Sequence, residues 1–442
     1  MIFVKNKNAM RKAIILFTYT LFILAICGRL PGQELESRLD ELSARYAFTW
    51  EPLRVDTFFT EKYLLRLEQP VNHGSDTTGS FTQRIFVSHL GSDHPVVFIT
   101  EGYSTGYAAY PKYIHELSTI LEANQICVEH RYFGESAPDP LRWEYLTVEN
   151  AARDHHRVVE LFKEIYGGKW VSTGISKGGQ TMMYHRCFFP EDVDASVGYV
   201  CPLNFSVEDR RMYDFLSEVG SEECRRKIKD FQTDMLENRS KYLPAFEKMA
   251  ENRGLQYSIG NEKAYDLTVL EYSFAFWQWG QTSCDSIPEP GSDPAGAVNH
   301  LDRVAGIDWV SDEGISGYRP FFYQALTEIG FYGYDISGFE GLTVFDSNPT
   351  FIFTAPEGMF PVYNAGTMRK VDRFIRHEAD NMIFIYGEYD PWSATAVDLT
   401  GNTNSVKFIK PGGSHLTRIF NLPWDMRQEL LSTLMGWLNM EE

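Results

Sequence analysis

Between Trp170 and Arg186 the chain reads WVSTGISKGGQTMMYHR, and no other stretch restricts the fold as much. A short apolar run, a glycine-rich turn with a serine at its apex and a helix-forming run follow one another without a gap. Gly174-Ile175-Ser176-Lys177-Gly178 matches G-x-S-x-G. Flanking glycines leave room for a strand to turn sharply into a helix while the serine hydroxyl is held outward. Gly179 follows, so the helix starts close against the sheet. Such a turn needs a buried strand before it, which commits this part of the chain to strands alternating with helices.

The flanking sequence keeps that alternation. Leu35, Leu39, Leu42 and Tyr46 recur at helical spacing, and residues 33–56 read as helical. Strands are predicted over 58–71, 83–90, 95–100, 125–129 and 195–201, with helices near 111–123 and over 150–166. This predicts a mostly parallel, doubly wound sheet. The pattern breaks near Asn204. Residues 206–275 carry charged helical stretches without strands, and 276–340 are rich in loops, with Pro288, Pro290, Gly291, Pro294 and Gly296 close together. Strand-like runs return at 350–354, 382–386 and 406–409, and a last helix is predicted over 426–440. Four parts follow: a leader (1–32), a first core part (33–203), a mostly helical cap over the active end of the sheet (204–340) and a second core part (341–442).

A serine is a weak nucleophile at neutral pH and needs a base within hydrogen-bond reach and a carboxylate to orient that base. In sheet hydrolases the chain order is Ser, then Asp or Glu, then His, on loops after successive late strands. Asp390 lies just past the run 382–386, and His415 just past 406–409 behind Gly412-Gly413. Ser176, Asp390 and His415 are therefore the candidate catalytic residues. Gly102-Tyr103-Ser104-Thr105-Gly106 also matches G-x-S-x-G, but its strand comes one strand–helix unit too early. Its loop takes the place of an oxyanion loop. The backbone N–H of Lys177, with that of Gly102 or Tyr103, then forms the oxyanion hole. Glu388 is the alternative orienting acid. His130 precedes the serine and reads as a buried, hydrogen-bonded histidine, and His155 and His156 as packing or surface residues.

Outside this constellation the sequence is spare. There is no H-x-x-x-H, no P-loop, no dinucleotide fingerprint and no C-x-x-C, so neither a metal nor another cofactor is expected. Lys5, Lys7, Arg11 and Lys12 precede an apolar run from Ala13 to Cys27, as in a secretory signal. Cleavage is expected between Cys27 and Glu34, with Cys27 as an alternative site of lipid attachment. The chain carries a formal charge of −19, and residues 1–32 hold five basic and no acidic residues, leaving about −24 on the remainder. Such a protein does not bind nucleic acid or an anionic membrane by charge. It is expected to be exported. Five cysteines follow Cys27. Cys127 and Cys187 read as buried thiols, and a bridge between Cys224 and Cys284 fits an oxidising compartment.

The residues now assembled resemble a known group. Glu129-His130-Arg131-Tyr132-Phe133-Gly134-Glu135-Ser136 is similar to the E-H-R-Y-[YF]-G-x-S run of the prolyl carboxypeptidase and dipeptidyl peptidase 7 family. Thr100-Glu101-Gly102, Leu146-Thr147-Val148-Glu149-Asn150-Ala151, Glu271 to Gln278 and Asp390-Pro391-Trp392-Ser393 extend the likeness over most of 83–420. The elbow departs from that family's usual G-G-S-Y-G. With the shorter, acidic cap, it looks closer to the streptomycete PS-type secreted tripeptidyl aminopeptidases. Both groups are serine exopeptidases. The resemblance implies an α/β-hydrolase core with an inserted helical cap, Ser176 as nucleophile, Asp390 as orienter and His415 as base.

The resemblance leaves open which end of a peptide is recognised. An aminopeptidase must hold a cationic amine and needs an unpaired carboxylate near the site. Glu101 and Glu271 are the candidates, and the alternatives are an ion pair of Glu101 with Arg131 and helix packing for Glu271. A carboxypeptidase would use Lys177 or Arg131 instead. Phe276, Trp277 and Trp279 are candidates for an apolar pocket taking proline or another small side chain. The function expected is release of short peptides, tripeptides among them, from free N-termini. A carboxypeptidase or a carboxylic-ester hydrolase is the alternative.

Overall fold

The computed structural model describes residues 31–56, 58–75 and 77–440. The expected leader through residue 30, with Cys27, lies outside them. Nine strands form one sheet: β1 (Phe48–Pro52), β2 (Glu61–Pro70), β3 (Ser80–His89), β4 (Val96–Thr100), β5 (Asn124–Val128), β6 (Trp170–Ile175), β7 (Ala195–Tyr199), β8 (Met382–Gly387) and β9 (Val406–Lys410). The helices are α1 (Pro31–Tyr46), α2 (Glu116–Ile120), α3 (Val148–Lys163), α4 (Lys177–Phe188), α5 (Arg211–Glu218), α6 (Glu222–Glu237), α7 (Arg239–Arg253), α8 (Asn261–Trp279), α9 (Pro294–Ala305), α10 (Asp312–Gln324), α11 (Gly366–His377) and α12 (Trp424–Leu438).

Strand order is β1-β2-β3-β5-β4-β6-β7-β8-β9. The first three pairings are antiparallel and the remainder parallel. Every residue of β4, β5 and β7 is buried, as expected of parallel strands covered on both faces. The order reverses between β4 and β6, which pair directly, Ile99 against Thr173. Their carboxyl ends therefore open the crevice where open α/β sheets place their sites. The loop after β4 and the elbow after β6 meet there.

Three predicted elements differ. The N-terminal helix stops at Tyr46, where Ala47 takes a φ of 53° and reverses the chain. Phe48, Thr49 and Trp50, which favour extended backbone, then pair with β2. The helix near 111–123 shrinks to α2, which begins only where the His115 side chain caps it by accepting from Leu117 N at 3.2 Å. The run 350–354 is a 3₁₀ turn, Phe351–Thr354, and not a strand. β7 pairs directly with β8, so the sheet has no vacancy for it. Phe351 packs instead on Phe331 and Tyr332, with ring centroids 4.5 and 5.0 Å away.

Helices α5 to α10 all fall between β7 and β8 and share a core with α4 and α11. A disulfide joins Cys224 at the start of α6 to Cys284 beyond α8. Cys127 and Cys201 are buried thiols, whereas Cys187 is only half-buried. No helix of the described residues is long and apolar enough to cross a membrane.

Candidate active site

Ser176 closes β6 with φ 55° and ψ −121°, a conformation that non-glycine residues rarely adopt and that marks strain held by its surroundings. Its backbone N–H donates to Tyr199 O at 2.8 Å and its carbonyl accepts from Gln180 N at 3.0 Å, so both neighbouring elements fix it. The flanking glycines are obligatory: a Cβ on Gly174 would run into the Gly178 backbone, and one on Gly178 would lie 2.8 Å from Thr100 O. Ser104, by contrast, is exposed in the loop after β4 and has no positive φ.

Asp390 and His415 come together from the ends of β8 and β9. His415 Nδ1 and Asp390 Oδ2 are 2.7 Å apart, and both side chains are buried. Asp390 Oδ1 accepts from Trp392 N at 3.2 Å, which fixes the carboxylate. An imidazole held through Nδ1 presents Nε2 on its other side. The His415 N–H donates to Gln278 O at 2.8 Å, so the end of α8 positions the histidine loop. Ser176 and His415 are not joined by a hydrogen bond among the described residues, a contact that in hydrolases often tightens only with substrate. Glu388 turns away from His415 and accepts from Gly412 N at 2.7 Å.

Beside Ser176 lies a cavity of about 20 Å³ walled by Tyr103, Lys177, Phe321, Phe331 and Trp392. Lys177 Nζ donates to Gly102 O at 2.8 Å, and burial pushes its pKa well down. His130 is buried with Nδ1 at 2.8 Å from Arg131 O, and burial together with Lys177 holds its pKa far below the usual range. His155 is fully buried, whereas His156 stacks on Phe189 at 4.0 Å and contacts Asp192.

The ion pair between Glu101 and Arg131, the alternative weighed from sequence, does not form. Arg131 instead makes a buried pair with Asp154 at 2.6 and 2.8 Å and donates to the carbonyls of Val71, Tyr145 and Pro70. Glu101 accepts from the Tyr107 hydroxyl. Burial raises its pKa, and that hydrogen bond, the Gly102 N–H and the Lys177 charge oppose the rise.

Glu271 on α8 is 8% exposed and accepts from the Tyr332 and Tyr334 hydroxyls at 2.9 and 2.7 Å. Among the described residues no cation pairs with it, and burial pushes its pKa up to about 7. Trp277 and Phe274, on the same helix, line a cavity of about 300 Å³ with Tyr332 and Tyr334. Phe274 and Tyr332 also pack on Trp392, at 5.3 and 5.5 Å, and so connect this cavity to the wall beside Ser176. Phe276 is buried, and Trp279 stands 42% exposed with its ring 5.9 Å from that of His415. Sequence reasoning missed Phe321, Phe331, Tyr332 and Tyr334 as part of the site. The aromatic run Phe331-Tyr332-Gly333-Tyr334 was the available signal.

A sheet of this order, with a strained serine after β6 and a buried Asp–His pair on the loops after β8 and β9, is an α/β-hydrolase fold. The family model for PS-10 peptidase S37 matches residues 51–441, and the chain belongs to that family of peptidases. It is 32% identical over 384 residues to the prolyl tri/tetrapeptidyl aminopeptidase of Streptomyces mobaraensis, covering 85% of this chain and 80% of that one. Prolyl carboxy peptidase like protein 5 of Caenorhabditis elegans matches at 25% over 175 residues, 36% of this chain and 34% of that one. Among solved structures, the proline iminopeptidase of Mycobacterium smegmatis superposes with a TM-score of 0.40 at 14% identity, over 85% of this chain and 99% of that one.

Proposed function

We propose that the chain is an exported serine aminopeptidase that releases short peptides, tripeptides among them, from unblocked N-termini. In this reading Ser176 attacks the scissile carbonyl while His415 takes its proton, and Asp390 holds the imidazole in the productive tautomer. The backbone N–H groups of Lys177 and Tyr103 receive the oxyanion. His415 then protonates the departing amine, and water releases the acyl peptide from Ser176.

The observation that carries the choice of peptide end is Glu271. A buried carboxylate without a cationic partner is costly unless something supplies the positive charge. A peptide's terminal ammonium, received beside Tyr332 and Tyr334, does so. The two cations that the sequence offered to a carboxypeptidase are committed elsewhere, Arg131 to Asp154 and Lys177 to Gly102 O. Similarity to a prolyl tri/tetrapeptidyl aminopeptidase agrees. Tyr103, Phe321, Phe331 and Trp392 would then face the side chain on the acyl side of the cleaved bond, where aromatic faces suit a proline ring.

The test uses one peptide of about eight residues as free, N-acetylated and C-amidated forms, with products read by mass spectrometry and Ser176→Ala as control. N-acetylation alone should abolish cleavage, and the mass lost gives the step length. Dependence on a free C-terminus, or turnover by S176A, would refute the proposal.

A further inference from the structure

Lys177 is placed where a lysine is least at home. It opens α4, at the positive end of a helix dipole, and is 3% exposed. The other deeply buried cation of this region, Arg131, has Asp154 as an ion-pair partner. Lys177 has no carboxylate within ion-pair distance among the described residues, and Glu101 acts on it only at longer range. Its contacts are instead the Gly102 carbonyl at 2.8 Å and the faces of Tyr103 and Phe133, at 5.6 and 5.3 Å from the ring centroids.

The Gly102 carbonyl is one end of the Gly102–Tyr103 peptide unit, and the Tyr103 N–H is its other end. A trans peptide is planar, with C=O and N–H pointing in opposite directions, so a clamp on the oxygen fixes where the N–H points. The rest of the loop is tied down as well. Tyr103 O accepts from His130 N at 3.2 Å, and Glu129 accepts from Thr105 N at 3.0 Å. Gly102 also sits hard against the lysine stem, where a Cβ would lie 2.7 Å from Lys177 Cβ and Cγ. The Gly102 N–H is drawn to the Glu101 carboxylate and Tyr103 borders the cavity beside Ser176, so the Tyr103 N–H is the loop donor in the mechanism proposed above.

We infer that Lys177 is the positioning residue of the oxyanion hole: its backbone N–H is one donor, and its side-chain amine orients the peptide plane that carries the other. The inference rests on the serine mechanism proposed above. It holds for either protonation state of the amine, since both forms donate.

Lys177→Met keeps the stem against Gly102 and removes the donor. Loss of one oxyanion donor lowers kcat by about 10²–10³-fold, and misalignment of one by somewhat less. We expect kcat of K177M to fall by about 10–100-fold with KM within about threefold. A peptide aldehyde, which forms a tetrahedral adduct on the serine, should lose affinity by the same factor. Binding of the matching tripeptidyl alcohol, which has neither a carbonyl nor a carboxylate oxygen to place in the hole, should be unchanged. The fall should also appear on a p-nitrophenyl ester, which separates failure of this inference from failure of the aminopeptidase reading.

Lys177→Gln, whose amide is a donor on a stem one bond shorter, is the second variant and serves alone if K177M does not fold. It should recover kcat to within about fivefold of wild type, with aldehyde affinity rising in parallel. Unchanged kcat in K177M, equal loss of aldehyde and alcohol binding, or a glutamine variant impaired by the full hundredfold would each overturn the inference.

Discussion

Replacing Glu271 by Gln keeps the side chain's shape and removes its charge, and the two consequences run in opposite directions. The carboxyl titrates near 7 in the folded chain against an ordinary value of 4.5, because burial outweighs the hydrogen bonds from Tyr334 and Tyr332. With the folded value the higher, the folded state binds the proton more tightly. Its stability is therefore full below about pH 4.5 and declines as pH rises through 7. By pH 8 the decline is about 3 kcal/mol. The glutamine oxygen still accepts from both tyrosines and does not titrate. E271Q should therefore exceed wild type at pH 8 by that order and match it at pH 4. At ~2.1 cal/mol/K per residue, a chain of this length shifts by about 1 °C per kcal/mol, so the gain at pH 8 is about 3 °C in Tm. Catalysis moves the other way. A hydrogen bond to a charged group contributes about 1.5–3 kcal/mol. On a substrate with a free N-terminus, kcat/KM should fall roughly tenfold to hundredfold, carried mainly by KM. In wild type, KM should rise as pH drops below 7. Thermal melts at pH 4, 6 and 8, beside steady-state kinetics on a tripeptidyl coumarin amide, check both arms. An E271Q less stable than wild type at pH 8, or equally shifted at pH 4, would refute the electrostatic reasoning. An unchanged KM would refute the amine site.

Asp390→Asn should lower kcat by about 10⁴-fold with little change in KM, because an amide stabilises the wrong imidazole tautomer; single-turnover acylation of Ser176 measures it. Replacing both Cys224 and Cys284 by Ser should cost about 4 kcal/mol, the chain-entropy value for a loop closed across a sequence separation of 60, and lower the denaturant midpoint accordingly. Arg131→Met leaves Asp154 buried without its guanidinium and should destabilise the fold by about 3–5 kcal/mol, with partial recovery on adding Asp154→Asn.

The elements that touch the backbone chemistry of the site were readable in sequence, because each is a local event. The elbow announces itself through glycines that a Cβ would close. Asp390 and His415 follow short apolar runs that are strands, β8 and β9, within a residue of where the pattern put them. The mostly parallel, doubly wound class of sheet follows once strands and helices alternate. What was not readable is what depends on distant partners. Phe351–Thr354 is apolar enough for a strand, but only the direct pairing of β7 with β8 excludes it from the sheet. Arg131 could have met Glu101 or Asp154, and nothing in the spacing chooses. The wall beside Ser176 draws Tyr103 from the β4 loop, Phe321 from α10, Phe331 from the segment beyond it and Trp392 from the turn after Asp390. Those four are separated by up to 289 positions and show no common period.

These two kinds of legibility correspond to a division in the molecule. Around Ser176 the groups that set the geometry are tied to rigid core elements: the serine backbone to β7, the Gly102 carbonyl to Lys177, and the Asp390 carboxylate to the Trp392 N–H. A site that must receive a developing negative charge gains from such fixed donors, since they need no reorganisation when the charge appears. Glu271 and its two tyrosines are built differently, on α8 and the segment after α10, which also carry the aromatic lining. The two regions meet through Trp392, which packs on Phe274 and Tyr332 and borders the cavity at the serine, and through Gln278, which holds the His415 loop. Occupation of the cavity beside Glu271 therefore bears directly on the side chain next to the nucleophile and on the backbone behind the base. On the proposed function, recognition of a free amine and the chemistry at Ser176 are coupled by these contacts, so substitutions at Phe274 should change kcat as well as KM, although Phe274 reaches neither the serine nor the histidine.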